Sequence, residues 1–407
     1  KRLRSDFGEF AAREGHWLDD YALFMALKTA HAGSGWWNWP RPLMRRDKSA
    51  LTRARSALAR PIDRFRFGQF LFYRQLAALR AYARQRGVLM IGDMPIFVAW
   101  DSADAWAQRH LFKLDSRGHP TVVAGVPPDL FSEIGQRWGT PLYDWRAMQR
   151  ENFACSIARM KAALQQTDLV RVDHFRGFAA CWEIPGTAKT AVRGRWVNTP
   201  GRQLLAALRD GVLAPAERTD AALPVIAEDL GLITPDVVAL RQGFHLPGMR
   251  VLQFAFGGGP DNPYLPHNIT PDNVAYTGTH DNDTTAGWFK SADKQTRRSL
   301  LSYYPAAAKN PAWTLIEATW ATTAHLAITP LQDLLALPTS ARMNLPGTPT
   351  GNWTWRSPAL SGTRSAFARL RALTQKYNRT ACTTPSGNDS RTLHASDGLI
   401  PPDLAQE

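Results

Sequence analysis

Residues 168–175 read DLVRVDHF, a short β-branched run that closes on the acid Asp173. Two more segments repeat the pattern. PVIAEDLG (224–231) brings Glu228 to the end of PVIA, and NVAYTGTHDND (273–283) brings Asp281 shortly after NVAYT. Apolar strands followed abruptly by charge are expected of parallel strands buried on both faces, which emerge into solvent at their C-terminal ends. In an α/β barrel those ends carry the catalytic groups. The acids follow one another at intervals of 55 and 53 residues, room for a helix and a loop between successive strands.

Working outward, VLMIGDMPIFV (88–98), GMRVLQFAF (248–256) and AITPLQDLL (327–335) read as further strands. The six end near Asp93, Asp173, Glu228, Gln253, Asp281 and Asp333. WLDDYALFMALKTA (17–30) has helical character, and Phe72, Leu76, Leu79 and Ala83 recur at helical spacing between Phe65 and Arg86, with Gly87 as a C-terminal stop. A long excursion over about 99–152, rich in Gly, Pro and aromatic residues, is expected to be a functional insertion. The expected fold class is α/β, a TIM (β/α)8-type barrel with long inserted loops. A closed barrel of this kind has eight strands, so about two β/α units, on the order of sixty to a hundred residues, are expected to be missing from the N-terminus. Residues 1–377 read as the catalytic domain and 378–407 as a polar, disordered tail.

The 407 residues are 44% hydrophobic, enough for one barrel domain or two ordinary ones. No apolar run approaches eighteen residues, so no membrane span is expected. Cys155, Cys181 and Cys382 form neither an even set nor a CxxC, which argues against a disulfide framework and a thiolate zinc site and for a reducing, cytoplasmic location. With 49 Lys and Arg against 35 Asp and Glu the net charge is +14. The bases are scattered, as in RPLMRRDKSALTRARSALARP (41–61), and no recognised module accompanies them, so no nucleic-acid partner is expected.

Residues two apart in a strand face the same way, so Arg171 and Asp173 share a side. A guanidinium beside a carboxylate keeps it ionised, as a nucleophile requires, and Asp173 is the candidate nucleophile. The bland reading is a structural Arg–Asp pair. Burial of Glu228 beside another carboxylate would favour its protonated form and suit a general acid/base. Its bland reading is a helix cap, since EDLGLITPD opens toward a helix. Asp281, next to His280, is placed to hydrogen-bond ring hydroxyls. A rival for His280, Asp281 and Asp283 is a metal site, but the DND pattern lacks the Gly and Glu of a calcium loop. FGGGP (256–260) lacks the pattern of a phosphate loop. Of the 15 Trp, Trp138 is a candidate for stacking on a sugar ring.

The stretches WLDDYALFMALK, IGDMPIFVAWDSADAW, TVVAGVPPDLFSEIGQRWGTPLY, VRVDHFRGFAACWEIP, EDLGLITPDV, LPGMRVLQFAF, YTGTHDNDTTAGW and ARMNLPGTPTGNWTWR occur in that order. Through them the chain closely resembles, over residues 7 to 375, the amylomaltases or disproportionating enzymes, 4-α-glucanotransferases of glycoside hydrolase family 77. The resemblance implies a catalytic barrel with Asp173 as nucleophile, Glu228 as acid/base and Asp281 as transition-state stabiliser. It implies substrate contacts from Asp93, Arg171, His174, His280, Phe131, Trp138, Asn344 and Pro346, and no metal or organic cofactor. The implied donors are α-1,4-glucans and the implied acceptors glucose or maltooligosaccharides, joined with retention. Two departures stand out: Leu130 replaces the Tyr of the family's PPDYF, which predicts weaker acceptor binding, and the N-terminal segment has no counterpart. The alternatives are an α-glucan hydrolase of amylase type and a catalytically silent, truncated glucan-binding fragment.

Overall fold

The computed structural model describes residues 2–128, 133–213, 222–348, 350–357, 359 and 363–380. The chain forms two compact units, the first of Lys1–Glu228 with Ile233–Leu240 and the second of Asp229–Leu232 with Arg241–Glu407.

The first unit opens with helices α1 (Arg2–Ala30), α2 (Arg41–Met44), α3 (Lys48–Ala57) and α4 (Ala59–Arg84). Helix α1 begins fifteen residues before the expected Trp17, because Phe7, Phe10, Trp17, Leu18 and Tyr21 continue one apolar stripe that packs on Phe67, Phe70 and Tyr73 of α4. Gly8 and Gly15 interrupt this stretch at a cost of only about 1 kcal/mol each, less than the packing returns. Helix α4 also starts early, with Pro61 in its first turn, where a missing N–H is harmless. It ends as expected ahead of Gly87, whose φ of +68° suits glycine.

Seven strands of this unit follow: β1 (Ile91–Pro95), β2 (Val122–Val126), β3 (Gln136–Pro141), β4 (Leu169–Asp173), β5 (Ala180–Pro185), β6 (Arg195–Asn198) and β7 (Val225–Ala227). A parallel sheet has the order β1-β4-β7, with β4 in the centre and Val170 and Val172 fully buried. Its register sets Asp93 beside Arg171, Pro95 beside Asp173, and Val172 beside Ala227. A second, antiparallel sheet of order β3-β2-β5-β6 occupies part of the expected loop excursion and was not anticipated.

The second unit contains β8 (Gly248–Val251), β9 (Asn273–Tyr276) and β10 (Leu326–Ile328), a parallel sheet with β9 central. Leu252, Phe256, Leu265, Ala275, Leu300 and Leu315 form its core. The six strands expected from the sequence are therefore the six parallel strands, arranged as two sheets of three. Neither sheet closes on itself among the described residues. The last two strands stop earlier than expected, so Asp281 lies in the loop after β9 and Asp333 in the short helix after β10. Of the expected tail, 381–407 falls outside the described residues. Among those described, no helix is long and apolar enough to cross a membrane.

Candidate active site

In the first unit the site is built on the C-terminal ends of β1, β4 and β7. Arg171 and Asp173 face the same side of β4, and the parallel register brings Asp93 in from β1. The Arg171 guanidinium donates to both Asp93 oxygens, Nε to Oδ1 at 3.1 Å and Nη2 to Oδ2 at 2.6 Å. Nη2 also donates to Asp173 Oδ1 at 3.1 Å. Its side chain is 10% exposed, whereas Asp93 and Asp173 are 41% and 43% exposed, so a buried cation holds two carboxylates that remain open to solvent. Burial alone would lower the Arg171 pKa, but the hydrogen bond and charge of Asp93, with the charges of Asp173 and Glu228, raise it.

Glu228 stands one residue beyond β7. Its N–H donates to Val172 O at 3.0 Å, and its carbonyl accepts from Phe175 N at 3.1 Å. Asp173 and Glu228 are thus neighbours across the strand pair. The Glu228 carboxylate accepts the His174 N–H at 2.7 Å. This corrects the helix-cap reading: the next helix begins only at Pro235, and the bond goes back to the residue that follows Asp173. His174 takes a left-handed conformation at φ +54°, and its Nε2 is buried without a hydrogen-bond partner among the described residues. Burial first, then the charge of Arg176, lowers its pKa to about 4, so the ring is neutral near pH 7. Trp138, on β3 and 39% exposed, meets the His174 ring edge-on at 4.7 Å. Phe131 and Leu130 lie outside the described residues.

In the second unit, Asp281 is held by neighbours distant in sequence. Asn344 Nδ2 donates to Asp281 Oδ1 at 2.6 Å, and His280 Nε2 lies 3.3 Å from Asp281 Oδ2. The backbone of Asn344 donates to His280 O at 3.1 Å, and Arg342 Nη2 donates to Asp281 O at 2.7 Å. Trp353 packs on the His280 ring at 5.2 Å and is 55% exposed. The sequence reading included Asn344 but missed Arg342 and Trp353, although all three fall in the quoted ARMNLPGTPTGNWTWR. Pro346 is exposed on the same segment. Asp283 does not join a metal set with His280 and Asp281. Its carboxylate accepts from Thr284 N and Thr339 Oγ1, and no group of three or more His, Cys, Asp or Glu among the described residues is gathered to hold an ion.

Each unit thus offers carboxylates at the C-terminal side of a parallel sheet: Asp93, Asp173 and Glu228 in the first, Asp281 in the second. The family model described as 4-alpha-glucanotransferase matches residues 1–361. The 4-alpha-glucanotransferase of Thermus thermophilus is 50% identical over 384 residues, covering 92% of this chain and 75% of the relative. The chloroplastic/amyloplastic enzyme of Arabidopsis thaliana is 46% identical over 367 residues, covering 89% and 62%. Among solved structures, the amylomaltase of Streptococcus agalactiae in complex with acarbose matches with a TM-score of 0.87 at 35% identity, covering 93% of this chain and 75% of that one. The chain thus spans between 62% and 75% of the length of these relatives, and it belongs to the 4-alpha-glucanotransferases of glycoside hydrolase family 77, the amylomaltases.

Proposed function

We propose that the chain transfers segments of α-1,4-glucans to the 4-hydroxyl of glucose or a maltooligosaccharide by a retaining double displacement. The observation that carries this reading is the pairing of Asp173, bonded to buried Arg171, with Glu228, bonded to the backbone of the residue after Asp173. Asp173 and Glu228 leave neighbouring positions on adjacent strands, joined by Glu228 N–H to Val172 O, an arrangement compatible with the roughly 5 Å between the carboxyls of retaining enzymes.

Asp173 attacks the anomeric carbon and forms a covalent glycosyl–enzyme ester, while Glu228 gives its proton to the departing 4-oxygen. Glu228, now a carboxylate, takes the proton of the acceptor's 4-hydroxyl as that oxygen displaces Asp173. Asp281 hydrogen-bonds ring hydroxyls as positive charge develops. Asp93, Arg171, His174, His280, Trp138, Asn344, Pro346 and Phe131 are assigned to the sugars around these groups. Exposed Trp138 supports an aromatic platform that receives a sugar in place of water.

The same reading takes the six parallel strands as part of a (β/α)8-type barrel, supported by the likeness to the Streptococcus agalactiae amylomaltase. It places the enzyme in the cytoplasm, supported by the two buried free thiols Cys155 and Cys181. The test is to incubate the chain with maltotriose and resolve the products by size, with Asp173→Asn as control. A ladder of longer maltooligosaccharides with glucose, absent in the control, is expected. Glucose and maltose alone would replace transfer with hydrolysis, and no turnover by the parent chain would overturn the proposal.

A further inference from the structure

Asp333 takes no part in the chemistry above, yet it is 1% exposed and its carboxylate accepts three hydrogen bonds. Oδ2 accepts from Thr277 Oγ1 and from Thr285 Oγ1, each at 2.7 Å, and Oδ1 accepts from Thr285 N at 2.6 Å. Thr277 is the first residue after β9, and Thr285 is the first residue of the helix Thr285–Ser291. The loop 278–284 between them carries His280 and Asp281. Both threonines are fully buried. Other bonds hold the loop from within or from one side: Asn282 Oδ1 accepts from Thr279 N and Oγ1, and Gln253 Nε2 donates to Asp283 O.

We infer that Asp333 is a positioning residue for Asp281, a single buried carboxylate that clasps both ends of the loop presenting it. The inference rests on the reading of Asp281 as transition-state stabiliser. A buried acceptor bonded by donors at both ends fixes the span of the loop, and misplacing a reacting group by about 1 Å can cost 100-fold in rate. Its position at the amino end of a helix adds a favourable dipole. Burial pushes the Asp333 carboxyl above its usual range, the threonine bonds oppose this, and the charge of Asp283 adds to the rise. The clasp does not need the charge, because threonine hydroxyls rotate to suit donor or acceptor.

The test is a kinetic comparison on maltotriose of the parent, Asp333→Ala, Asp333→Asn and Asp281→Ala, and of Asp281→Ala combined with Asp333→Ala. Expected is a kcat loss of about 30-fold in Asp333→Ala with KM within about twofold. Asp333→Asn should restore most of that loss, since its amide oxygen can accept from Thr285 N and its NH2 can donate to both hydroxyls. In the Asp281→Ala background the Asp333→Ala change should cost little more, because its effect passes through Asp281. Full kcat in Asp333→Ala, an Asn variant as slow as the Ala variant, or additive losses would each overturn the inference. Should Asp333→Ala not fold, Thr277→Val and Thr285→Val each remove one hydroxyl bond and should lower kcat with KM held; unchanged kcat in both overturns the clasp. Full activity in Asp281→Ala would instead sink the role assigned to Asp281, an outcome distinct from failure of the clasp.

Discussion

The backbone N–H of His174 donates to the carboxylate of Glu228 at 2.7 Å, joining the residue that follows Asp173 to the acid at the end of the neighbouring strand. An amide oxygen can accept the same bond, so Glu228→Gln should keep the fold while removing the proton donor. Turnover of maltotriose should fall by about 1000-fold, within the usual worth of general acid/base catalysis. With an α-glycosyl fluoride as donor the leaving group needs little protonation, so the first step should recover and glycosyl–enzyme accumulate. Intact-protein mass measured during turnover reads this directly, and maltotriose kinetics equal to the parent would remove Glu228 from the mechanism.

Arg171 binds two carboxylates at once, and its planar fork matches that task. Arg171→Ala should leave Asp93 and Asp173 without their shared cation and lower unfolding stability by about 2 kcal/mol, less than for a fully buried pair because both acids are partly screened by solvent. Maltotriose turnover should fall about 100-fold or more. Arg171→Lys supplies charge without the fork and should be intermediate in both. Calorimetry and initial rates check this, and an Ala variant that melts and turns over like the parent would reduce the pair to a decorative contact.

Period-two alternation along VRVDH was enough to set Arg171 and Asp173 on one side, and short apolar or β-branched runs were enough to reveal all six parallel strands, although β1 and β10 are only partly buried. What escaped is of two physical kinds. The antiparallel sheet was hidden because its edge strands β3 and β6 are partly exposed and poor in apolar residues. β3 reads QRWGTP, with Gly139 at φ +77° and only its last residue buried, which gives no alternation to detect. The bonds on Asp281 and Asp333 were hidden because they are long-range: Asn344 lies 63 residues beyond Asp281, and Asp333 lies 56 beyond Thr277 and 48 beyond Thr285. Local pattern carries no trace of such partners, and only the shared ARMNLPGTPTGNWTWR stretch pointed to Asn344 at all.

His174 supplies a pH dependence whose sign follows from its lowered pKa of about 4 against 6.5 for the free side chain. Above pH 6.5 the ring is neutral in both folded and unfolded chains and costs nothing. As pH falls through this window the unfolded chain takes up a proton that the folded one refuses, so stability is lost between about 6.5 and 4, to a total of about 3 kcal/mol. His174→Asn removes the titrating group and should flatten this part of the curve. Urea unfolding of both proteins at several pH values checks it, and parallel curves for parent and variant would refute the assignment.

Asn344 donates to Asp281 Oδ1 at 2.6 Å, so Asn344→Asp would set a second carboxylate against the first with nearly the same shape. Two carboxylates this close cannot both ionise without a large cost, and the pair should hold one shared proton with one raised apparent pKa. Below that pKa the proton preserves the hydrogen bond and the Asp281 geometry; above it repulsion drives the two apart. The variant should therefore approach parental turnover in mildly acidic buffer and lose it as pH rises, with the alkaline limb of its kcat profile displaced to lower pH than in the parent. Asn344→Ala lacks the second charge and should be slower than the parent at every pH, without that displacement. Profiles for the three proteins on maltotriose separate the outcomes, and an Asp variant whose profile overlays that of the Ala variant would mean that Asn344 does not hold the Asp281 carboxylate during turnover.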